Sequence, residues 1–130
     1  MAEESLYSKD WFLKAEQDLR RVENLLACED WEGASFHLQQ AVEKYLKGYL
    51  LSKGWQLKRT HNLIDLLKDA LCYDETLGNF RMICDKITEY YTIDRYPFFL
   101  DSQLSEEEIR DSLAEAKELV IKLTQSYVKS

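Results

Sequence analysis

The chain has 130 residues, with 24 acidic and 17 basic side chains, a formal net charge of −7 and 45% hydrophobic residues. That length suits one domain, residues 1–130, around one core, and the charge excludes a generic basic coat for nucleic acid. Four glycines and one proline argue against all-β architectures, which place those residues at turns.

In chain order, the first helix is expected from about Ser8 to Cys28, with Phe12, Ala15, Leu19, Val22 and Leu26 recurring at steps of three and four. Asp30 suits the N-cap of a second helix that runs to about Lys53 and stops at Gly54. Its expected core face is Ala34, Leu38, Ala41, Val42, Tyr45 and Tyr49. Thr60 or Asn62 caps a short third helix carrying Leu63, Ile64, Leu67 and Leu71. A fourth spans about Thr76 to Asp94, with Leu77, Phe80, Cys84, Ile87 and Tyr91 in register, and Pro97 places 94–104 in a loop. The fifth opens on Ser105-Glu106-Glu107-Glu108, a capping-box pattern, and carries Ile109, Leu113, Ala116, Val120, Leu123 and Tyr127. Short connections make neighbouring helices antiparallel. The expected fold is all-α: an up-and-down antiparallel helix bundle of four long helices plus one short helix.

Charge is uneven along this chain. Lys44, Lys47, Lys53, Lys58 and Arg59 fall in a stretch from Lys44 to His61 that contains no acid, whereas 101–118 is strongly acidic. On the second helix, His37, Gln40, Lys44 and Lys47 fall within an arc of about 80°, beside the expected core face. They read either as a row of donors for phosphate or as a solvated helix face. Lys58-Arg59-Thr60-His61-Asn62 precedes a helix start, where free N–H groups favour anions, or else simply caps that helix. Five aromatics and Arg95 between Tyr90 and Phe99 could stack a base and hold a phosphate, or close the end of the bundle.

Other chemistries lack their patterns. Two histidines without ligand spacing and no HExxH argue against a metal site, and the absence of a Gly-rich loop excludes Walker and dinucleotide-binding motifs, so no cofactor is expected. Cys28, Cys72 and Cys84 show no CxxC spacing and are expected to be buried small hydrophobes in a reducing compartment. No apolar run reaches membrane-span length, and the acidic opening Met1-Ala2-Glu3-Glu4-Ser5 shows no secretion signal. A cytoplasmic chain that does not engage membranes is expected.

Residues Ala34 to Lys47, then Arg59-Thr60-His61-Asn62-Leu63, then Arg95-Tyr96-Pro97, together resemble the HEPN family (higher eukaryotes and prokaryotes nucleotide-binding) over nearly the whole chain. The resemblance implies an all-α bundle that commonly forms homodimers and is often encoded beside a minimal nucleotidyltransferase. Many members are metal-independent ribonucleases, toxins whose partner is the antitoxin. Their signature is an Arg followed after four to six residues by His, the His activating a ribose 2′-hydroxyl and the Arg stabilising phosphorane charge. Here Arg95 is followed at those positions by Leu100, Asp101 and Ser102, and no His occurs after His61.

The departure weighs against ribonuclease activity and leaves binding standing. The expected function is therefore an accessory protein that binds nucleotide or RNA phosphate through Lys44, Lys47, Lys58, Arg59, His61, Arg95 and Tyr96, and partners a nucleotidyltransferase in a toxin–antitoxin-like module. One alternative is a metal-independent endoribonuclease with a rearranged site drawn from Arg95, His37 and His61. Another is a purely structural interaction module. Tyr90, Tyr91 and Tyr96 are candidates for modification by the partner.

Overall fold

The computed structural model describes residues 7–95 and 104–129, with side chains described for 7–91 and 104–125. Among these residues five α-helices follow one another: α1 (Ser8–Ala27), α2 (Trp31–Ser52), α3 (Leu63–Leu71), α4 (Arg81–Arg95) and α5 (Glu106–Lys129), with a 3₁₀ segment at Glu75–Phe80. No strand occurs among the described residues. The all-α bundle of four long helices and one short helix is the fold that hydrophobic periodicity predicts.

The α1–α2 turn shows why the ends fall where they do. At the C-terminus of α1, Asp30 N–H donates to Leu25 C=O (2.9 Å) and Glu29 N–H to Leu26 C=O (3.1 Å), a Schellman closure. Glu29 holds a φ of 59° there. The Asp30 carboxylate then accepts from Gly33 N–H at 2.9 Å and starts α2. Close packing of the two helices depends on Gly48, where an added Cβ would lie 2.9 Å from the Phe12 ring.

A second Schellman closure ends α2, with Trp55 N–H on Leu50 C=O (3.0 Å), Gly54 N–H on Leu51 C=O (3.1 Å) and Gly54 at φ 86°. Asn62 caps α3 through Ile64 N–H (2.9 Å), while the Thr60 hydroxyl accepts from Asn62 N–H. The Thr88 hydroxyl accepts from Leu63 N–H (3.1 Å) and so fixes the start of α3 against α4. At α5 only half of the expected capping box forms. Glu108 N–H donates to Ser105 Oγ, but the Glu108 carboxylate faces Lys86 at 3.7 Å.

Helix α2 lies at the centre and packs against α1, α3, α4 and α5. Burial therefore extends well beyond its predicted face to Ser35, Gln39, Glu43, Leu46, Lys47, Gly48 and Leu50. Three other expectations are corrected. The region from Thr76 begins as a 3₁₀ segment whose N-terminus Asp74 caps, and α4 proper starts only at Arg81. Tyr90, not Tyr91, continues the core register of α4 and meets Ser112 at 3.0 Å. Cys28 and Cys72 are exposed; only Cys84 is buried, and burial pushes its thiol up to about 12. The predicted loop at Pro97 lies outside the described residues. No described helix is long and apolar enough to cross a membrane.

Candidate functional site

Two buried carboxylates organise the polar edge where α1, α2 and the 53–62 connector meet α4. Asp18 projects from α1 at 1% exposure. Its Oδ1 meets His37 Nδ1 at 2.9 Å and Arg21 at 3.3 Å, and its Oδ2 accepts from Lys44 Nζ. Glu43, on α2, is 3% exposed. Its Oε1 meets His61 Nδ1 at 2.8 Å and Gln39 Nε2 at 3.1 Å, while Oε2 accepts from Lys47 Nζ at 3.1 Å. An ionised carboxylate can only accept, so each imidazole carries its proton on Nδ1 and leaves Nε2 as its second functional atom.

The second histidine is held in several ways. Gln39 Nε2 also donates to the His61 carbonyl at 2.9 Å, and the His61 ring stacks on Tyr91 with centroids 4.4 Å apart and planes 16° from parallel. Tyr91 in turn stacks on Phe36 (6.1 Å), whose ring meets His37 edge-on at 5.4 Å. The two histidines, far apart in sequence, are thus joined by one continuous aromatic contact. Gln40 extends the polar edge by donating to Gln39 Oε1 at 2.7 Å.

The predicted basic residues divide. His37, Lys44 and His61 share this edge, with Arg59 exposed on the connector two residues before His61. Arg95 is the last residue of α4, one helical turn beyond Tyr91; Tyr96 lies outside the described residues. Lys47 is not on the surface. It is 2% exposed, paired with Glu43 and lies over the Trp11 ring at 5.2 Å, so the expectation that its ammonium meets a phosphate is corrected by its burial. Lys58 lies elsewhere, bonded at 2.8 Å to Asp69, which also accepts from Trp55 Nε1. Desolvation works to raise the Asp69 pKa, but the hydrogen bonds from Lys58 and Trp55 outweigh it and hold the carboxyl below its ordinary value. The same hydrogen bond raises Lys58 and places its ammonium with Asp69 rather than with the histidine edge.

Sequence reading missed Asp18, Gln39, Glu43 and the role of Tyr91. One signal was available: Asp18 stands three residues after Ala15 and four before Val22, in the core register where Leu19 was expected. A carboxylate in an apolar stripe requires a partner. Every fully buried side-chain polar atom among the described residues has a hydrogen-bond partner, so the network is a closed set rather than a residue of poor packing. Around Asp18, two cations face one carboxylate when His37 is neutral; Glu43 and Lys47 balance. The edge as a whole carries a net positive charge that grows if the imidazoles protonate. Chemically it can hold an anion and move protons through the Nε2 atoms of the two imidazoles. No cluster of three or more His, Cys, Asp or Glu side chains suited to a metal ion occurs among the described residues.

Comparison with known proteins gives three findings. Residues 8–126 match the model of the HEPN domain. "Putative toxin MJ1304" of Methanocaldococcus jannaschii is 29% identical over 97 residues, a match that takes in 70% of this chain and 64% of that protein. The crystal structure of TT1696 from Thermus thermophilus superposes with a TM-score of 0.82 at 26% identity, covering 91% of this chain and 96% of that one.

Proposed function

The chain belongs to the HEPN domain family, and we propose that it is the HEPN member of a toxin–antitoxin-like module that binds RNA or nucleotide phosphate at the His37–Lys44–His61 edge. It acts as a single domain, forms a homodimer and works with a minimal nucleotidyltransferase in the cytoplasm. Likeness to a protein named as a toxin supports the module. The single observation that carries the binding reading is the pair of imidazoles pinned through Nδ1 to buried Asp18 and Glu43, with Lys44 between them in sequence. Groups ordered before the ligand arrives lose little entropy on binding it. Arg59, two residues before His61, and Arg95, one helical turn after Tyr91 on α4, are assigned to extend the phosphate contact.

A second reading has its own support in the same two dyads. In metal-independent RNA cleavage, the ribose 2′-oxygen attacks phosphorus and the 5′-oxygen leaves. One Nε2 would take the 2′ proton and the other, protonated, would give one to the leaving oxygen. The missing Arg–His spacing favours binding over cleavage.

Fluorescence anisotropy of a labelled single-stranded RNA, with chelator present, tests both. Binding that weakens several-fold in Lys44→Ala and leaves the RNA intact supports the first reading. Metal-independent cleavage lost in both His37→Ala and His61→Ala establishes the second. No association at millimolar RNA overturns both. Co-purification with the nucleotidyltransferase tests the partnership separately.

A further inference from the structure

The geometry points to His61 as a stacking seat for one unpaired nucleobase of the RNA or nucleotide that this edge is proposed to bind. The inference rests on the RNA-binding reading and adds what that reading leaves open: which part of the nucleic acid is recognised besides phosphate.

The His61 side chain is 52% exposed, yet it is fixed on three sides. Glu43 holds its Nδ1 edge, Gln39 holds its carbonyl, and Tyr91 covers one ring face in near-parallel contact. With about half of the side chain still exposed, the part of the ring that these contacts leave uncovered is accessible. An exposed histidine on a connector ordinarily loses rotamer freedom when a ligand stacks on it; this one has already lost it. The buried Lys47–Glu43 pair supplies the anchor, and α3 cannot swing the ring away because Leu63 N–H is tied to Thr88 on α4.

The chemistry of the accessible ring selects the ligand. A flat heteroaromatic ring would extend the column that already runs His61, Tyr91, Phe36. The phosphate attached to such a ring is assigned to Lys44, the residue that follows the His61 partner Glu43 on α2. Bases within a duplex have both faces occupied, so only an unpaired base can take this place. Stacking tolerates any base because every base has a π face, so single-strand preference without strong sequence preference is expected.

The full chain is titrated into a short single-stranded RNA carrying 2-aminopurine, whose fluorescence falls on stacking, and into the matched duplex and an abasic strand. Quenching is expected, with affinity for the duplex and the abasic strand lower by roughly tenfold or more. His61→Ala should lose roughly the same factor, whereas His61→Phe, which keeps a flat ring, should retain quenching; thermal melts verify that both variants fold. RNA bound without quenching, or duplex and single strand bound equally, overturns the inference. Adenosine, which has no phosphate, separates the two readings when His61 ring protons are followed by NMR. Shifts with adenosine but no RNA binding would keep the stacking seat and remove the phosphate reading. RNA binding with no adenosine shift would do the reverse.

Discussion

At the scale of single residues, the most informative side chain is Lys47. Its ammonium is buried against Glu43 and Trp11, and such pairs are costly to break from one side only. Glu43→Leu leaves Lys47 with a ring face and no carboxylate, an expected loss of about 3–5 kcal/mol. Lys47→Met leaves Glu43 with Gln39 and His61, so its loss should be smaller, about 1–3 kcal/mol. The double variant Glu43→Leu/Lys47→Met should be more stable than Glu43→Leu alone. Urea denaturation of the four proteins measures the coupling. Independent, additive losses would show that the pair is not an anchor.

At the scale of elements, helix ends hold more stability than their exposure suggests. The α1–α2 turn closes with Glu29 in the left-handed region, whereas the equivalent position after α2 is Gly54. A side chain at positive φ costs about 1–2 kcal/mol, and glycine loses part of that advantage through its own backbone freedom. Glu29→Gly should therefore stabilise by roughly 0.5–1 kcal/mol, seen as a higher urea midpoint with an unchanged slope. A lower midpoint would mean that the Glu29 side chain contributes more than the strain it imposes. The fourth helix carries the other element-scale lesson. By rotating Tyr90 inward to Ser112, it presents Tyr91 to His61, so one residue of register separates a core aromatic from a site aromatic.

At the scale of the whole molecule, an acidic protein of net charge −7 must bind a polyanion locally or not at all. Lys47 is buried and Lys58 lies with Asp69 away from this edge, so the cations proposed to meet phosphate are Lys44, Arg59 and Arg95. Three phosphate contacts give a slope of log K against log salt of about −2 for single strands. Anisotropy titrations between about 50 and 200 mM salt check this. A slope much steeper than that would require a further cationic surface, such as one formed across two protomers. A flat slope would remove phosphate from the interaction altogether.

The sequence by itself determined the helices apart from the start and register of α4, most of their caps and the family to which they belong. Those features rest on local spacing: Asp30 three residues before Gly33, Asn62 two before Ile64, apolar side chains every three or four positions. It also marked His37, Lys44 and His61 as residues to watch. What only the tertiary structure decided is which polar residues face inward. Helix α2 has neighbours on nearly every side, a property of the assembly of helices that no single periodicity encodes. That enclosure buries Gln39, Glu43 and Lys47 together, brings Asp18 of α1 beneath His37, and joins two distant histidines through Phe36 and Tyr91. Burial removes solvent as a partner for charge, so these groups must satisfy one another, and the arrangement of the site follows from that demand.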